Sequence, residues 1–230
     1  MLQSDRTSEW FVPKFGPKNF RLSVGILFLP YTAIVTCFAT LGATSGSLDV
    51  GRIIAISVIY FLALGISAHL LDAVGGKTKP WGDLPKKKLW SVSMGALGIA
   101  FTIGLYFAFL DSPLLFPIGI AEGFFLFAYN LEWFGGKFHN KPTTIISWGI
   151  LPVFAGSAIQ TNSVTLETII ISGITALITY VLIANTVPYK ILKQNNGNPQ
   201  EIRRRELFLK LLPLGVIIAT ILFFIAKYYV

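Results

Sequence analysis

Hydrophobic residues in this chain fall in long continuous runs separated by short polar, basic or glycine-rich stretches. About 20 apolar residues carry a helix across a bilayer. Seven runs reach or approach that length, at residues 22–43, 53–71, 89–110, 114–131, 143–159, 168–187 and 207–226. The pattern predicts an all-α fold, a polytopic transmembrane helix bundle of about seven spans. An outer-membrane barrel would alternate apolar and polar positions in segments of about ten residues, which these runs do not do. Residues 22–230 read as a single transmembrane domain. Residues 1–21 read as a tail on the inner membrane surface, with Trp10, Phe11, Phe15 and Phe20 buried and Lys14 and Lys18 turned to anionic lipid. The first run reads as uncleaved, because this tail is too long and polar for a usual signal n-region.

Composition agrees. Of the 230 residues, 53% are hydrophobic and only 13% charged, about half the charge of a soluble domain. A soluble globular domain, a disordered chain and a disulfide scaffold are excluded. The lone cysteine, Cys37, lies inside an apolar run and cannot form an internal disulfide. No Cys/His cluster has zinc spacing, and no phosphate loop of the Walker type is present.

The net charge of +8 would suggest nucleic acid in a soluble chain. Here the basic residues sit in clusters between apolar runs, so they read as topology signals and nucleic acid is not expected as a partner. With seven spans, seventeen Lys and Arg fall on one side and only Arg52 and Lys227 on the other. By the positive-inside rule the amino terminus is cytoplasmic and the carboxyl terminus external. The expected external loops are tight, and the cytoplasmic ones, near residues 73–88, 132–142 and 188–206, are longer. All five Trp fall in or near the cytoplasmic half. Trp10 and Trp90 suit an interfacial belt, whereas Trp148 is the first candidate for a cavity wall.

Ionisable groups inside spans are expensive. His69 and Asp72 lie three residues apart and share a helix face near the cytoplasmic end of the second span. Glu122 falls near the middle of the fourth span, where a carboxylate costs at least ~2.5 kcal/mol. It should be protonated or paired and face the bundle interior, either as an interhelical hydrogen bond or in a substrate cavity. Tyr129, seven residues on, shares its face. Gly149 and Gly156 flank Pro152 in the fifth span and allow close helix approach with a kink. Asn185 and Pro188 should end the sixth span.

Several of these segments together resemble the UbiA superfamily of membrane prenyltransferases. The run Ala68-His69-Leu70-Leu71-Asp72, with Gly76-Lys77-Thr78-Lys79-Pro80 and Lys86-Lys87-Lys88-Leu89-Trp90 after it, is similar to that family's first aspartate-rich loop. Phe127-Ala128-Tyr129-Asn130 and the later Trp148-Gly149-Ile150-Leu151-Pro152-Val153-Phe154-Ala155-Gly156 follow in matching order. The resemblance implies a helical bundle with a cytoplasmic cavity open sideways to lipid. It also implies Mg²⁺ as cofactor, held by carboxylates against a prenyl diphosphate, and a membrane-soluble acceptor. On it, Asp72 would be the metal ligand and His69 its catalytic neighbour. Lys77, Lys79 and Lys137 would neutralise the diphosphate, and Glu122, Tyr129, Trp148 and Asn185 would line the substrate site.

The departures are equally plain. The family's first motif carries three carboxylates, and aligned on Asp72 this chain keeps one. Where the second motif belongs, Asn185-Thr186-Val187-Pro188-Tyr189 has the Asn but no carboxylate. The chain is also two spans short of the usual nine. One or two carboxylates can hold a Mg²⁺ with phosphates and waters, so Asp72, with Asp83 of the same loop, suits one ion better than two. The expected function is a divergent prenyltransferase acting on a prenyl diphosphate and a small or lipid acceptor. The alternatives are a non-catalytic lipid-binding scaffold of the same shape and, third, a small proton-coupled transporter using His69, Asp72 and Glu122.

Overall fold

Cap and turn residues cut the apolar runs into helices, as the computed structural model of residues 6–46, 48–75, 81–82 and 84–229 describes. Among the described residues seven apolar helices follow one another: α1 (Lys18–Ala43), α2 (Val50–Gly75), α3 (Lys86–Leu110), α4 (Leu115–Asn130), α5 (Lys141–Thr161), α6 (Leu166–Gln194) and α7 (Pro199–Tyr229). Every regular element among these residues is helical. All but α4 are long and apolar enough to cross a membrane, six in number. The 16 residues of α4 extend about 24 Å at the usual helical rise, short of a ~30 Å hydrocarbon core.

Local chemistry sets the boundaries. The Asp49 side chain accepts from the backbone N–H of Arg52 and starts α2. Asn140 does the same for Thr143 ahead of α5, and Thr165 and Thr168 cap each other reciprocally at the start of α6. Asn162 ends α5 in the left-handed conformation at φ 48°. Three boundaries differ from the sequence expectation, one of them the start of α7 at Pro199, inside the stretch read as a cytoplasmic loop. The first helix begins at Lys18, inside the stretch read as a surface tail, and breaks once at Phe28, φ 45°, before Pro30. The sixth helix continues through Pro188 to Gln194. A proline removes one internal hydrogen bond, and the flanking turns here carry the helix past it.

Two helices contain a widened π turn, Phe61–Ala68 in α2 and Ile145–Ile150 in α5. The second lies just before Pro152, whose ring cannot donate to the preceding turn. Such turns are rare and cluster at functional sites. His69 follows the first and Trp148 lies within the second, and their rings meet edge-on with centroids 6.4 Å apart.

Lipid tails are as apolar as leucine, so close backbone packing and interhelical hydrogen bonds must hold a membrane bundle together. The α1–α5 crossing supplies the first. A Cβ on Gly156 would collide with the Ala39 carbonyl, and one on Gly42 with the carbonyl of Val153. Phe38, Ala39, Val153 and Ile159 around this crossing are fully buried. The second comes from buried hydroxyls: Ser45, Ser157 and Thr168 join α5 and α6 to the residues just after α1, with the Ser45–Ser157 oxygens 2.9 Å apart. The exterior is apolar. Leu207, Leu211, Leu214, Ile218, Ile221 and Leu222 of α7 all point outward, as lipid-facing residues do.

Ion pairs show that neighbouring helices alternate in direction. Arg52 at the start of α2 meets Asp111 just after α3 at 2.6 Å. Lys227 near the end of α7 meets Glu167 at the start of α6, also at 2.6 Å. The Asn162 side chain after α5 accepts the backbone N–H of Leu114 ahead of α4 at 2.9 Å. All of these lie at one end of the bundle. The tail and most of the lysine- and arginine-bearing connections lie at the other, here termed the basic end.

Residues 6–17 fold onto that basic end. Val12 is buried against Trp81 and Gly25, where a Cβ would meet both side chains. Phe11 packs on Phe28, centroids 4.7 Å apart, and Trp10 meets Tyr31 edge-on. Phe15 and Phe20 point away from the bundle and contact each other at 5.9 Å.

Candidate functional site

The tail, α1, α2, α4, α5 and α6 surround a half-open polar chamber at the basic end, with a volume of about 770 Å³. Three separate segments bring it positive charge. Arg6 comes from the tail, Lys141 from the first turn of α5, and Lys190 and Lys193 from the last turns of α6. Two carboxylates oppose them. Asp72 on α2 lies 3.6 Å from the Arg6 guanidinium. Glu9 lies 3.2 Å from Lys193 and accepts a 3.0 Å hydrogen bond from the Tyr189 hydroxyl. Lys193 also donates to Tyr189 at 3.2 Å. These bonds pin the tail to α6. Lys141 and Lys190 are exposed to the chamber, and no carboxylate among the described residues stands within ion-pair reach of either.

His69 is the chamber's least satisfied group. Its side chain is buried, 7% exposed, and its Nε2 has no hydrogen-bond partner among the described residues. Phe28 packs against it at 4.8 Å between centroids, and Trp148 closes the other edge. A buried polar nitrogen left unpaired is uncommon in a folded protein and calls for a partner.

Beside the chamber runs a second, apolar crevice of about 190 Å³ between α2, α3, α4 and α5. Its outer rim includes Ile120, 73% exposed. Among its walls are Phe101, Phe125 and Leu126. Among the described residues its one carboxylate is Glu122, half-buried, whose Oε1 accepts a 2.8 Å hydrogen bond from the buried Tyr60 hydroxyl. Tyr129, Asn130 and Trp148 line both spaces. A polar, cationic room therefore adjoins a narrow apolar slot, with those three residues as the shared wall. The combined shape suits an amphiphile with an anionic head.

The residues singled out in the sequence divide into four groups. His69, Asp72, Tyr129 and Trp148 come together in the chamber wall. Glu122 lines the crevice and shares it with Tyr129 and Trp148. Lys137 is exposed on the connection after α4 and lines neither space, while the Asn185 amide donates to the backbone carbonyl of Val181 within its own helix. Lys77 and Lys79, with Asp83, lie outside the described residues.

Reasoning from sequence missed Arg6, Glu9, Lys141, Tyr189, Lys190 and Lys193. The last three were read as loop residues because the sixth helix was expected to end before Pro188. Once the helix continues, Leu182, Thr186, Tyr189, Lys190 and Lys193 recur at three- and four-residue spacing and share the chamber-facing side. That periodicity was the available signal. Arg6 and Glu9 carried none.

The described donors do not fit a pair of Mg²⁺ sites. No three His, Cys, Asp or Glu among the described residues group closely enough to hold a metal ion. Both chamber carboxylates already face a cation. No family model, curated protein or solved structure matches the chain. Fold and site define a class: an all-helical, multi-pass membrane protein with a cationic chamber at one end and an apolar crevice beside it.

Proposed function

We propose that the chain is a divergent UbiA-like membrane protein that holds a prenyl diphosphate, head in the chamber and chain in the crevice, and transfers the prenyl group to a small or lipid acceptor. One observation carries this reading: Tyr129, Asn130 and Trp148 form a wall common to a cation-lined polar chamber and an apolar crevice. In the reaction the allylic C–O bond breaks and the diphosphate keeps the electron pair. The acceptor's nucleophilic atom bonds to the allylic carbon and loses a proton to solvent or to diphosphate. The protein's task is electrostatic, because charge develops on the leaving diphosphate and fixed cations facing it lower the barrier. The aromatic rings of Tyr129 and Trp148 suit the allylic cation, by attraction to their faces. With the positive-inside orientation the chamber opens to the cytoplasm, where soluble diphosphate products leave.

A second reading has its own observation. Arg6 already occupies Asp72, which favours a lipid-binding subunit that kept the cavity and lost the chemistry. Radiolabelled geranylgeranyl diphosphate, incubated with the reconstituted protein and a total membrane lipid extract, separates the two. Labelled lipid product together with released diphosphate is the expected result. Binding of the label without turnover selects the non-catalytic reading. Absence of binding ends both.

A further inference from the structure

Resting on that reading, we propose that the chamber grips the diphosphate with side-chain cations, Arg6, Lys141 and Lys190, in place of a divalent metal. The argument begins from charge. Among the described residues four cations, Arg6, Lys141, Lys190 and Lys193, and two carboxylates line the chamber, and the carboxylates are matched by Arg6 and Lys193. Lys141 and Lys190 remain, facing the same half-open space from the first turn of α5 and the end of α6. Lysines that serve only as solvated topology signals point outward into water. These two instead converge, from segments about 50 residues apart in sequence, on one room whose back wall is apolar and aromatic. A prenyl diphosphate carries two or three negative charges at its head and satisfies that excess.

Arg6 supplies the third contact. Its 3.6 Å separation from Asp72 is long for an ion pair, and a guanidinium prefers the bidentate geometry that phosphate oxygens offer. The chamber also contains a donor waiting for an acceptor. His69 is 7% exposed and its Nε2 has no partner among the described residues. Its Nε2 is shielded from the chamber's open space in this conformation, so the ring must turn before that nitrogen, in the protonated tautomer, donates to a phosphate oxygen. The carboxylate-poor lining, which departs from the family's metal-binding motifs, is then the consequence of recognition by a different charge. Asp72 is a competitor for Arg6 in this arrangement and not a metal ligand.

The two modes predict opposite signs at Asp72. Binding of geranylgeranyl S-thiolodiphosphate to the full-length protein in detergent is measured by calorimetry, once with EDTA and once with Mg²⁺. Cation recognition gives equal affinity in both, competition by inorganic pyrophosphate, and none by phosphatidylglycerol. Lys190→Gln and Lys141→Gln each weaken binding about tenfold or more, as the loss of a charge-assisted hydrogen bond should. Asp72→Asn leaves affinity equal or tighter. Thermal unfolding of the two lysine variants matches wild type, since both side chains are exposed.

Affinity that requires Mg²⁺ and falls with Asp72→Asn overturns the proposal while leaving prenyl diphosphate binding intact. Indifference to both lysine substitutions overturns it as well. Displacement by phosphatidylglycerol would assign the cations to bilayer headgroups instead. Failure of wild type to bind under either condition removes this inference together with the reading beneath it.

Discussion

The two ends of the bundle treat charge in opposite ways. At the end away from the tail, Arg52 donates to both Asp111 carboxylate oxygens, to Ser112 and to the carbonyl of Ile159, and also pairs with Asp49. Lys227 has Glu167, and the Ser45, Ser157 and Thr168 hydroxyls satisfy one another. At the basic end, among the described residues, Lys141 and Lys190 face the chamber with no carboxylate within ion-pair distance, and the buried His69 Nε2 has no partner. The contrast is one of charge: the buried Gln160 Oε1 at the first end also has no partner among the described residues, but the cations there are paired. The proposed function places its ligand at the end where two cations are not.

The sharpest tests of this division start at the crossing that joins both ends. Gly156→Leu drives a side chain into the backbone of α1 at Ala39 and should cost about 3 kcal/mol or more. Loss of a monodisperse peak in fluorescence-detected size exclusion would report it, and a normal peak would show that the α1–α5 contact is not the keystone. Next, Arg52→Ala should lower the unfolding temperature by a few degrees while leaving affinity for the prenyl diphosphate analogue unchanged. Lys190→Gln should do the reverse. If Arg52→Ala weakened binding as much as Lys190→Gln does, the two ends would be coupled and the comparison would fail.

Between the ends, Glu122→Leu strands the buried Tyr60 hydroxyl and should cost about 1 kcal/mol, the usual scale for an interhelical hydrogen bond in lipid. Glu122→Gln keeps an acceptor for that hydroxyl and should unfold like wild type. A Gln variant as unstable as the Leu variant would mean that the carboxylate itself is needed there. The smallest effect concerns pH. Hydrogen bonds from the Arg52 guanidinium and then the Ser112 hydroxyl hold the Asp111 carboxyl below the usual carboxylate range. A depressed folded-state value stabilises the protein at neutral pH, and that contribution disappears as pH falls through it. The unfolding temperature of wild type should therefore decline at acidic pH slightly more than that of Asp111→Asn. Parallel profiles would show that this exposed pair adds nothing measurable, as many surface pairs do.

Part of the site could be read from the chain. His69, Asp72, Glu122, Tyr129 and Trp148 stood out because polar or aromatic groups at those positions in apolar helices are costly or unusual. They line the two joined cavities. Lys137 and Asn185 stood out for their place in a resemblance and line neither. Lys190 and Lys193 were hidden by Pro188, since the rule that proline ends a helix outweighed the periodicity that continued through it. The π turns beside His69 and around Trp148 left no local signature, because widening one turn alters no residue type.

What the sequence determined by itself is the kind of molecule. Apolar runs long enough to cross a bilayer have no water there with which to satisfy their backbone groups, and each must close its hydrogen bonds internally as a helix. That constraint is local, so composition and run length suffice to express it. Which charges would be paired is a different matter. Glu9 meets Tyr189 and Lys193, Arg6 meets Asp72, and Arg52 meets Asp111, pairs separated by dozens to nearly two hundred residues. Attraction between them falls with distance and rises with burial, and both quantities come into existence only when the helices pack. The tertiary structure alone decided that one end of this bundle is electrically closed and the other is left open.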